Sequence, residues 1–198
     1  MTTPIALPDA PARLAEASRI LVIGCSGSGK STLASALSKR YSLRHISLDR
    51  DVFWMPGWTE RPKDEAYARI AALVQEDRWV MDGTSPGSMY LRLPRTDLVI
   101  WLRPPRLTSL RGALGRWLRY AGRTRPEMAP GCPEKIDFEF LHYIWTFERL
   151  SSPRVEENLA RHGAGVPLLT LKSRDEMNRL LAMAGAALVS APGKPQAL

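Results

Sequence analysis

Residues 24–31 read Gly-Cys-Ser-Gly-Ser-Gly-Lys-Ser and match the pattern G-x-x-x-x-G-K-[ST]. The match follows the apolar run Ile20–Gly24 and precedes Ser31–Tyr41, whose leucine spacing is typical of a helix. Glycines let a backbone approach a phosphate chain closely, and the N–H groups at a helix start face the anion. The sequence therefore predicts a phosphate-binding loop. The residues predicted to bind nucleotide are Gly24, Ser26, Gly27, Ser28, Gly29, Lys30, Ser31 and Thr32.

Two side chains of this loop have specific predicted roles. In the pattern, the Lys30 ammonium reaches the β- and γ-phosphates, which makes it a candidate catalytic residue. The Ser31 hydroxyl is a candidate ligand of Mg²⁺. We therefore expect ATP and Mg²⁺ as the cofactors.

The rest of the chain predicts a doubly wound α/β fold. Runs that are apolar throughout suit strands of a parallel sheet covered on both faces, and helical patterns lie between them. The 198 residues fit one domain, predicted at 19–189 between a flexible N-terminus at 1–18 and a flexible tail at 190–198. The five predicted strands are Ile20–Gly24, His45–Leu48, Trp79–Asp82, Asp97–Leu102 and Val166–Leu171.

The segment between the fourth and fifth predicted strands is long and basic. It runs over about 103–165, far more than a crossover needs, and insertions beside sheet ends often act as lids. The whole chain has 28 Lys and Arg against 20 Asp and Glu, a net charge of +8, and seven arginines without an acid lie between Arg103 and Arg125. We expect Arg119 and Arg123, one helical turn apart, to form a catalytic phosphate clamp. The alternative is a solvated basic helix face.

Three carboxylates follow predicted strands. Asp49 and Asp51 follow the second strand and Asp82 ends the third, so all three should lie at the sheet edge that carries the phosphate loop. We expect Asp82 to bind Mg²⁺ together with Ser31, and Asp49, Asp51 and Arg92 to bind the substrate. The plainer interpretations are a solvated carboxylate for Asp49, a helix cap for Asp51 and a turn residue for Asp82.

The position of the acids distinguishes transfer from hydrolysis. The chain lacks the N-K-x-D motif of GTPases, and its fourth predicted strand ends Trp101-Leu-Arg-Pro-Pro105 without an acid to prime water. Phosphoryl transfer to a small acceptor is therefore favoured over hydrolysis.

Longer stretches carry a family resemblance. They are GCSGSGKSTL (24–33), HISLDRDVFWMPGW (45–58), DRWVMDGT (77–84), LPRTDLVIWL (93–102) and RPEMAPGCPEKIDFEFL (125–141). Through them the chain resembles the P-loop kinase group of adenylate and shikimate kinases, and more closely the adenylate-kinase-like DNA topology modulation (FlaR-related) proteins. The resemblance implies a P-loop NTPase fold with a five-stranded parallel sheet in the order 2-3-1-4-5. It also implies an acceptor-binding helical region at about 50–78 and an Arg-bearing lid at about 103–165.

Departures from the two kinase patterns leave the acceptor open. Adenylate kinases carry D-G-F-P-R after the third strand, where this chain has Asp82-Gly-Thr-Ser-Pro86 and no arginine. The D-x-D of shikimate kinases is matched by Asp49-Arg-Asp51, but only Gly83 corresponds to their glycine triplet. The expected acceptor is a small molecule or a nucleotide.

Composition supports one rival function. A calculated pI near 9.9 and the seven-arginine segment fit a nucleic-acid-associated ATPase or DNA topology modulator. A regulator that binds ATP without turnover is a third possibility. No apolar run approaches the ~20 residues of a membrane span, and the N-terminus lacks the order of a signal peptide, so we expect a cytoplasmic protein. The oligomeric state stays open.

Overall fold

The computed structural model describes residues 1–186 of the chain. Its strands are β1 Thr3–Ile5, β2 Arg19–Gly24, β3 Arg44–Ser47, β4 Trp54–Met55, β5 Thr59–Glu60, β6 Trp79–Asp82, β7 Leu98–Leu102 and β8 Pro167–Leu171. Its helices are α1 Ala10–Glu16, α2 Lys30–Tyr41, α3 Lys63–Leu73, α4 Met89–Arg92, α5 Arg106–Tyr120, α6 Phe138–Leu150, α7 Ser152–His162 and α8 Arg174–Met183. The short segment Leu48–Phe53 after β3 is a π-helix.

Six parallel strands form the main sheet, in the order β1-β8-β7-β2-β6-β3. The five predicted strands all occur and lie in the predicted order, so the α/β fold is confirmed. The sixth strand, β1, extends the sheet beside β8. The apolar runs are explained by burial, since Leu98–Leu102 is buried throughout and separate hydrophobic clusters cover the two faces of the sheet.

The N-terminal residues differ from the predicted flexible segment at 1–18. The Thr3 N–H donates to the carbonyl of Val166 at 2.9 Å, and β1 then pairs with β8. In α1, Ala10 and Leu14 are fully buried in one of the two core clusters. The Ala- and Pro-rich composition of residues 1–18 does not predict this short edge strand, because the strand is stabilised by pairing with its neighbour. The predicted tail at 190–198, with the last three residues of the predicted domain, lies outside the described residues.

The long segment at 103–165 contains three helices with different partners. Val155 and Leu159 of α7 belong to the core that covers the sheet, so α7 is the helix of the crossover to β8. Ala113 of α5 and Ile144 and Phe147 of α6 instead surround Cys25 of the phosphate loop. The part of the segment that covers the carboxyl edge of the sheet is therefore α5, α6 and the loop between them. No helix among residues 1–186 is long and apolar enough to cross a membrane.

Candidate active site

The loop between β2 and α2 is shaped by its glycines. Gly24, Gly27 and Gly29 have φ of 144°, 78° and 104°, a region that side chains disfavour. Close packing also excludes a side chain at Gly27, where a Cβ atom would lie 2.1 Å from the carbonyl oxygen of Ser109 in α5. The insertion therefore lies directly against the phosphate loop.

Thr84, just after β6, holds the start of this loop in place. The Gly24 N–H donates to the Thr84 hydroxyl oxygen at 3.0 Å, and the hydroxyl donates to the Gly24 carbonyl at 2.6 Å. Because both backbone groups of Gly24 are satisfied by one buried side chain, the loop starts from a fixed position.

Lys30 lies half-buried at the floor of the site. Its Nζ donates to the carbonyl of Cys25 at 2.7 Å, so the ammonium lies inside the curve of the loop. Burial lowers the pKa of Lys30 below its ordinary value, while the nearby carboxylates of Asp82 and Asp49 act in the opposite direction. Burial also raises the pKa of the Cys25 thiol to about 11, which keeps it protonated and poorly reactive.

A cavity of about 1030 Å³ opens above the loop. All predicted nucleotide-binding residues line it except Ser28, whose side chain is buried behind the loop. Its other walls come from the residues after β3 and β6, from α5 and from the loop before α6. The charged side chains that join Lys30 in lining the cavity are Asp49, Asp82, Arg111, Arg116, Arg119, Arg125, Glu127, Glu134, Lys135, Asp137 and Arg174.

The cavity holds oxygen donors suited to Mg²⁺. Ser31 and Asp82, the two side chains expected to bind Mg²⁺, both line it, and Asp49 lies in the same wall. His45 Nε2 lies 2.7 Å from Asp82 Oδ2, which fixes the orientation of that carboxylate. Within residues 1–186 no three His, Cys, Asp or Glu side chains converge as a metal cage. This donor set fits Mg²⁺, which is usually held by one or two carboxylates together with waters and phosphate oxygens.

Two arginines and two acids form a chain across the cavity. Arg116 Nε donates to Glu134 Oε1 at 2.6 Å, and Arg125 Nε lies 3.2 Å from Glu134 Oε2. Arg125 also donates to Asp49 at 3.1 Å, while Arg116 Nη1 lies 3.5 Å from the hydroxyl of Ser26 in the phosphate loop. Burial, with the Arg125 cation, lowers the pKa of Arg116, and Glu134 opposes that shift. The chain thus connects the phosphate loop with Asp49.

The predicted pair of lid arginines is separated in the structure. Arg119 lies on α5 and lines the cavity, but α5 ends at Tyr120, so Arg123 does not continue the same helix face. Gly122, at φ of 68°, turns the chain, and Arg123 is exposed and does not line the cavity. The predicted clamp of Arg119 and Arg123 is therefore wrong for Arg123, and Arg116 occupies the position one turn before Arg119.

Asp51 was predicted to bind the substrate, but it does not line the cavity. Its carboxylate accepts from the Ser47 N–H at 2.8 Å and from two nitrogens of Arg50, each at 2.8 Å. These contacts hold the pKa of Asp51 below its usual value although burial opposes them. Asp51 is a cap for the π-helix, the plainer of the two sequence interpretations.

Arg92 is also absent from the cavity wall. It is fully buried, and its guanidinium donates to the carbonyls of Gly83, Thr84 and Ser85 at 2.8, 2.5 and 2.9 Å. Burial lowers its pKa to about 9. These bonds shape the loop that carries Thr84, so the predicted substrate contact of Arg92 is wrong, and its role is to support the site from behind.

Sequence reasoning missed several residues of the cavity. The missed side chains are Arg111, Arg116, Arg125, Glu134, Lys135 and Tyr143. One signal was available for Glu134, because it lies in the stretch APGCPEK (129–135) that marked the resemblance. The arginines carried no such signal, since seven of them occur within 23 residues.

Residues 129–135 connect the insertion to the segment after β3. The Trp58 N–H donates to Cys132 Sγ at 3.1 Å, and the Trp58 indole donates to the Pro133 carbonyl at 3.2 Å. Lys135 Nζ lies 4.7 Å from the centre of the Trp58 ring. The aromatic residues after β3 and the arginines of the insertion therefore belong to one connected wall of the cavity.

Solved kinase structures are similar to this chain. Shikimate kinase from Acinetobacter baumannii, in complex with shikimate, matches with a TM-score of 0.53 at 14% identity, over 87% of this chain and 96% of that one. Shikimate kinase from Bacteroides thetaiotaomicron matches at 0.46 and 18% identity, over 84% and 95% of the two chains. Deoxyadenosine kinase from M. mycoides matches at 0.45 and 12% identity, over 84% and 96%. No protein-family model and no curated protein sequence matches the chain.

The chain has the same α/β fold as the shikimate kinase from Acinetobacter baumannii. At these identities the likeness concerns the fold alone. It agrees with the α/β fold that the resemblance to nucleotide and shikimate kinases implied. The finer resemblance to DNA topology modulation proteins stays a prediction.

Proposed function

We propose that the protein transfers the γ-phosphoryl group of ATP to a hydroxyl group of a small-molecule or nucleotide acceptor, with Mg²⁺ as the metal. One observation carries the proposal: the phosphate loop, Asp49, Asp82 and the lid arginine Arg119 all line one cavity. Such a cavity can hold a phosphate donor and an acceptor together, and positioning supplies much of the catalysis in phosphoryl transfer.

The chain's own residues have complementary roles in this reaction. Lys30 and Arg119 stabilise the negative charge of the transferred group, as cations do when they are held where that charge develops. Ser31 and Asp82 would hold Mg²⁺, which when bound neutralises phosphate charge. Asp49 lies in the wall where an acceptor hydroxyl can donate to it, and its carboxylate takes the proton.

The wall after β3 supports transfer rather than hydrolysis. Phe53, Trp54 and Trp58 line the cavity beyond Asp49 and offer an apolar surface to an acceptor. A water molecule needs no such surface. Arg92 and Asp51 are not available to bind an acceptor. Arg92 donates to backbone carbonyls, and the Asp51 carboxylate is bonded to Arg50.

The rival function, nucleic-acid binding by the arginine segment, has less support. Arg111, Arg116 and Arg119 line the cavity. Arg103 pairs with Glu148 and Glu156, and Arg125 with Asp49 and Glu134. A duplex-binding surface needs exposed cations facing outward, whereas most of these guanidinium groups face the cavity or an acid.

The experiment is an acceptor screen with ATP and Mg²⁺ in which ADP is measured against a reaction without acceptor. We expect slow basal ADP formation and a clear increase with the right hydroxyl compound. Lys30→Ala should abolish that increase, and Lys39→Ala, an exposed lysine on the same helix, should not. Fast basal hydrolysis that responds to duplex DNA and to no metabolite would overturn the proposal in favour of the rival.

A further inference from the structure

A second, apolar groove lies on the insertion, between α5 and α6. Its volume is about 550 Å³, and its walls are formed by Leu107, Leu110 and Leu114 of α5 and by Phe138, Leu141 and Trp145 of α6. Phe138 is 82% exposed and Leu114 is 49% exposed. Large exposed apolar surfaces of this kind mark interaction sites on soluble proteins.

The groove has the shape of a helix-binding site. Leu107 and Leu114 are two turns apart, about 10 Å along α5. The opposite wall, Phe138 to Trp145, has the same length. Two roughly matched helix walls with apolar side chains between them can receive the apolar stripe of a third helix, with its side chains at i, i+4 and i+7.

The charges at the rim define the partner further. Arg106 packs over the Trp145 ring, with its Cζ 3.8 Å from the ring centre, and Arg111 also borders the groove. Among residues 1–186 neither guanidinium has an ion-pair partner. A ligand helix with carboxylates beside its apolar stripe would pair with both.

A second copy of this chain fits the rim less well. Of the four arginines in α5, which has no acid, Arg106 and Arg111 lie at the groove, whereas Arg116 and Arg119 line the cavity above the phosphate loop. Two copies related by a two-fold axis through this groove would bring the cations Arg106 and Arg111 of both copies into one interface. A flat lipid surface likewise suits a convex apolar face rather than a groove.

From this geometry we infer that the groove between α5 and α6 is a docking site for an amphipathic, acidic helix of a partner protein. The inference does not depend on the proposed catalytic function, since the groove lies outside the catalytic cavity except at Arg111, which borders both. Its test is a binding measurement that needs no turnover.

The probe is a fluorescent amphipathic peptide of about 18 residues, five helical turns, with leucines at i, i+4 and i+7 and glutamates beside them. Leu114→Lys should weaken its binding about tenfold or more, since it replaces a buried leucine contact by a charge. Leu118→Lys is the matched control, because Leu118 is 65% exposed on the same helix but does not line the groove. This control should bind like the wild type.

A second test reverses the charge of one rim residue and of the peptide, and it applies even if Leu114→Lys folds poorly. Arg106→Glu should weaken the glutamate peptide and strengthen a peptide with lysines in place of its glutamates. Equal loss of binding in the Leu114 and Leu118 variants would overturn the inference. So would a wild-type dimer that Leu114→Lys converts to a monomer in sedimentation, or Leu114-dependent binding to phosphatidylserine vesicles without peptide binding.

Discussion

The carboxylate of Glu134 accepts a hydrogen bond of 2.6 Å from Nε of Arg116, inside the wall of the cavity above the phosphate loop. Only 6% of the Glu134 side chain is exposed, and its second oxygen faces Arg125. A single acid therefore holds one arginine from α5 and one from the following loop. Since Arg125 also binds Asp49, the position of the insertion and the position of the proposed proton acceptor are linked.

Glu134→Gln tests this link. Glutamine keeps the shape but removes the charge between two cations, so we expect Arg116 and Arg125 to move apart. Misplacement by about 1 Å can cost about a hundredfold in rate, and we expect turnover to fall by a factor of about 10 to 100. Glu139→Gln, an exposed acid on α6, is the control. Steady-state kinetics with the acceptor from the screen decides, and unchanged kcat and KM in Glu134→Gln would contradict the positioning role.

Arg119 and Arg123 form a natural pair of variants. Arg119 lines the cavity and Arg123 does not. Arg119→Ala should lower turnover by about a hundredfold or more, as loss of a cation from the transferred phosphoryl group does, with a smaller effect on ATP affinity. Arg123→Ala should leave turnover within a factor of about two, because surface substitutions away from a site have small effects. An equal loss of turnover in both variants would contradict this account and support the two-arginine clamp predicted from the sequence.

Arg92 should matter for folding stability rather than for acceptor affinity. Arg92→Lys replaces a guanidinium that donates to three carbonyls by a single ammonium group. One or two buried carbonyls would then lack a hydrogen bond, at a cost of about 1–3 kcal/mol each. We expect the free energy of unfolding in urea to fall by about 2–3 kcal/mol, with KM for the acceptor little changed. Arg149→Lys, on the exposed end of α6, is the control. A raised acceptor KM with unchanged stability would return Arg92 to the substrate site.

We expect Lys30 to lower the stability of the nucleotide-free protein while it contributes to nucleotide binding. Burial lowers its pKa in the folded protein, so the charged ammonium destabilises the native state relative to the unfolded chain. The unfolded state then binds more protons between the lowered pKa and the ordinary value of 10.5, and stability rises with pH across that window. Lys30→Met should melt at a higher temperature than the wild type at neutral pH, and this difference should shrink as the pH rises towards 10.5.

Thermal melts of both proteins without nucleotide at several pH values provide the measurement. With ATP and Mg²⁺ the order should reverse, because only the wild type gains from ligand binding. A Lys30→Met protein that melts below the wild type at neutral pH, or that is stabilised by nucleotide to the same extent, would contradict this account of Lys30.

The sequence was sufficient for the parts of the fold that local pattern determines. The phosphate loop has a fixed residue spacing, and fully buried parallel strands have continuous apolar runs, so both could be predicted, including the strand order through the family resemblance. β1 could not, because three residues gain their structure only from pairing with β8. Local pattern says little about such edge strands.

The candidate site was predicted less completely, for two physical reasons. Asp51 and Arg92 have residue types suited to a substrate site, but Asp51 is bonded to Arg50 and the Ser47 backbone, and Arg92 to backbone carbonyls, which the sequence does not reveal. Arg123 was expected to face Arg119, yet that expectation depended on where α5 ends, and helix ends are the least certain part of a sequence prediction. Glu134 meets Arg116 only because the intervening loop folds back.

The destination of the γ-phosphate tests the central claim most directly. The wild-type protein, Lys30→Ala and Lys39→Ala are each incubated with Mg²⁺, the acceptor from the screen and ATP labelled at the γ-phosphate, and the products are separated. The account predicts labelled acceptor with the wild type and Lys39→Ala, little labelled inorganic phosphate, and neither product with Lys30→Ala. Label that appears only as inorganic phosphate, or labelled acceptor that persists in Lys30→Ala, would contradict a kinase built on this loop.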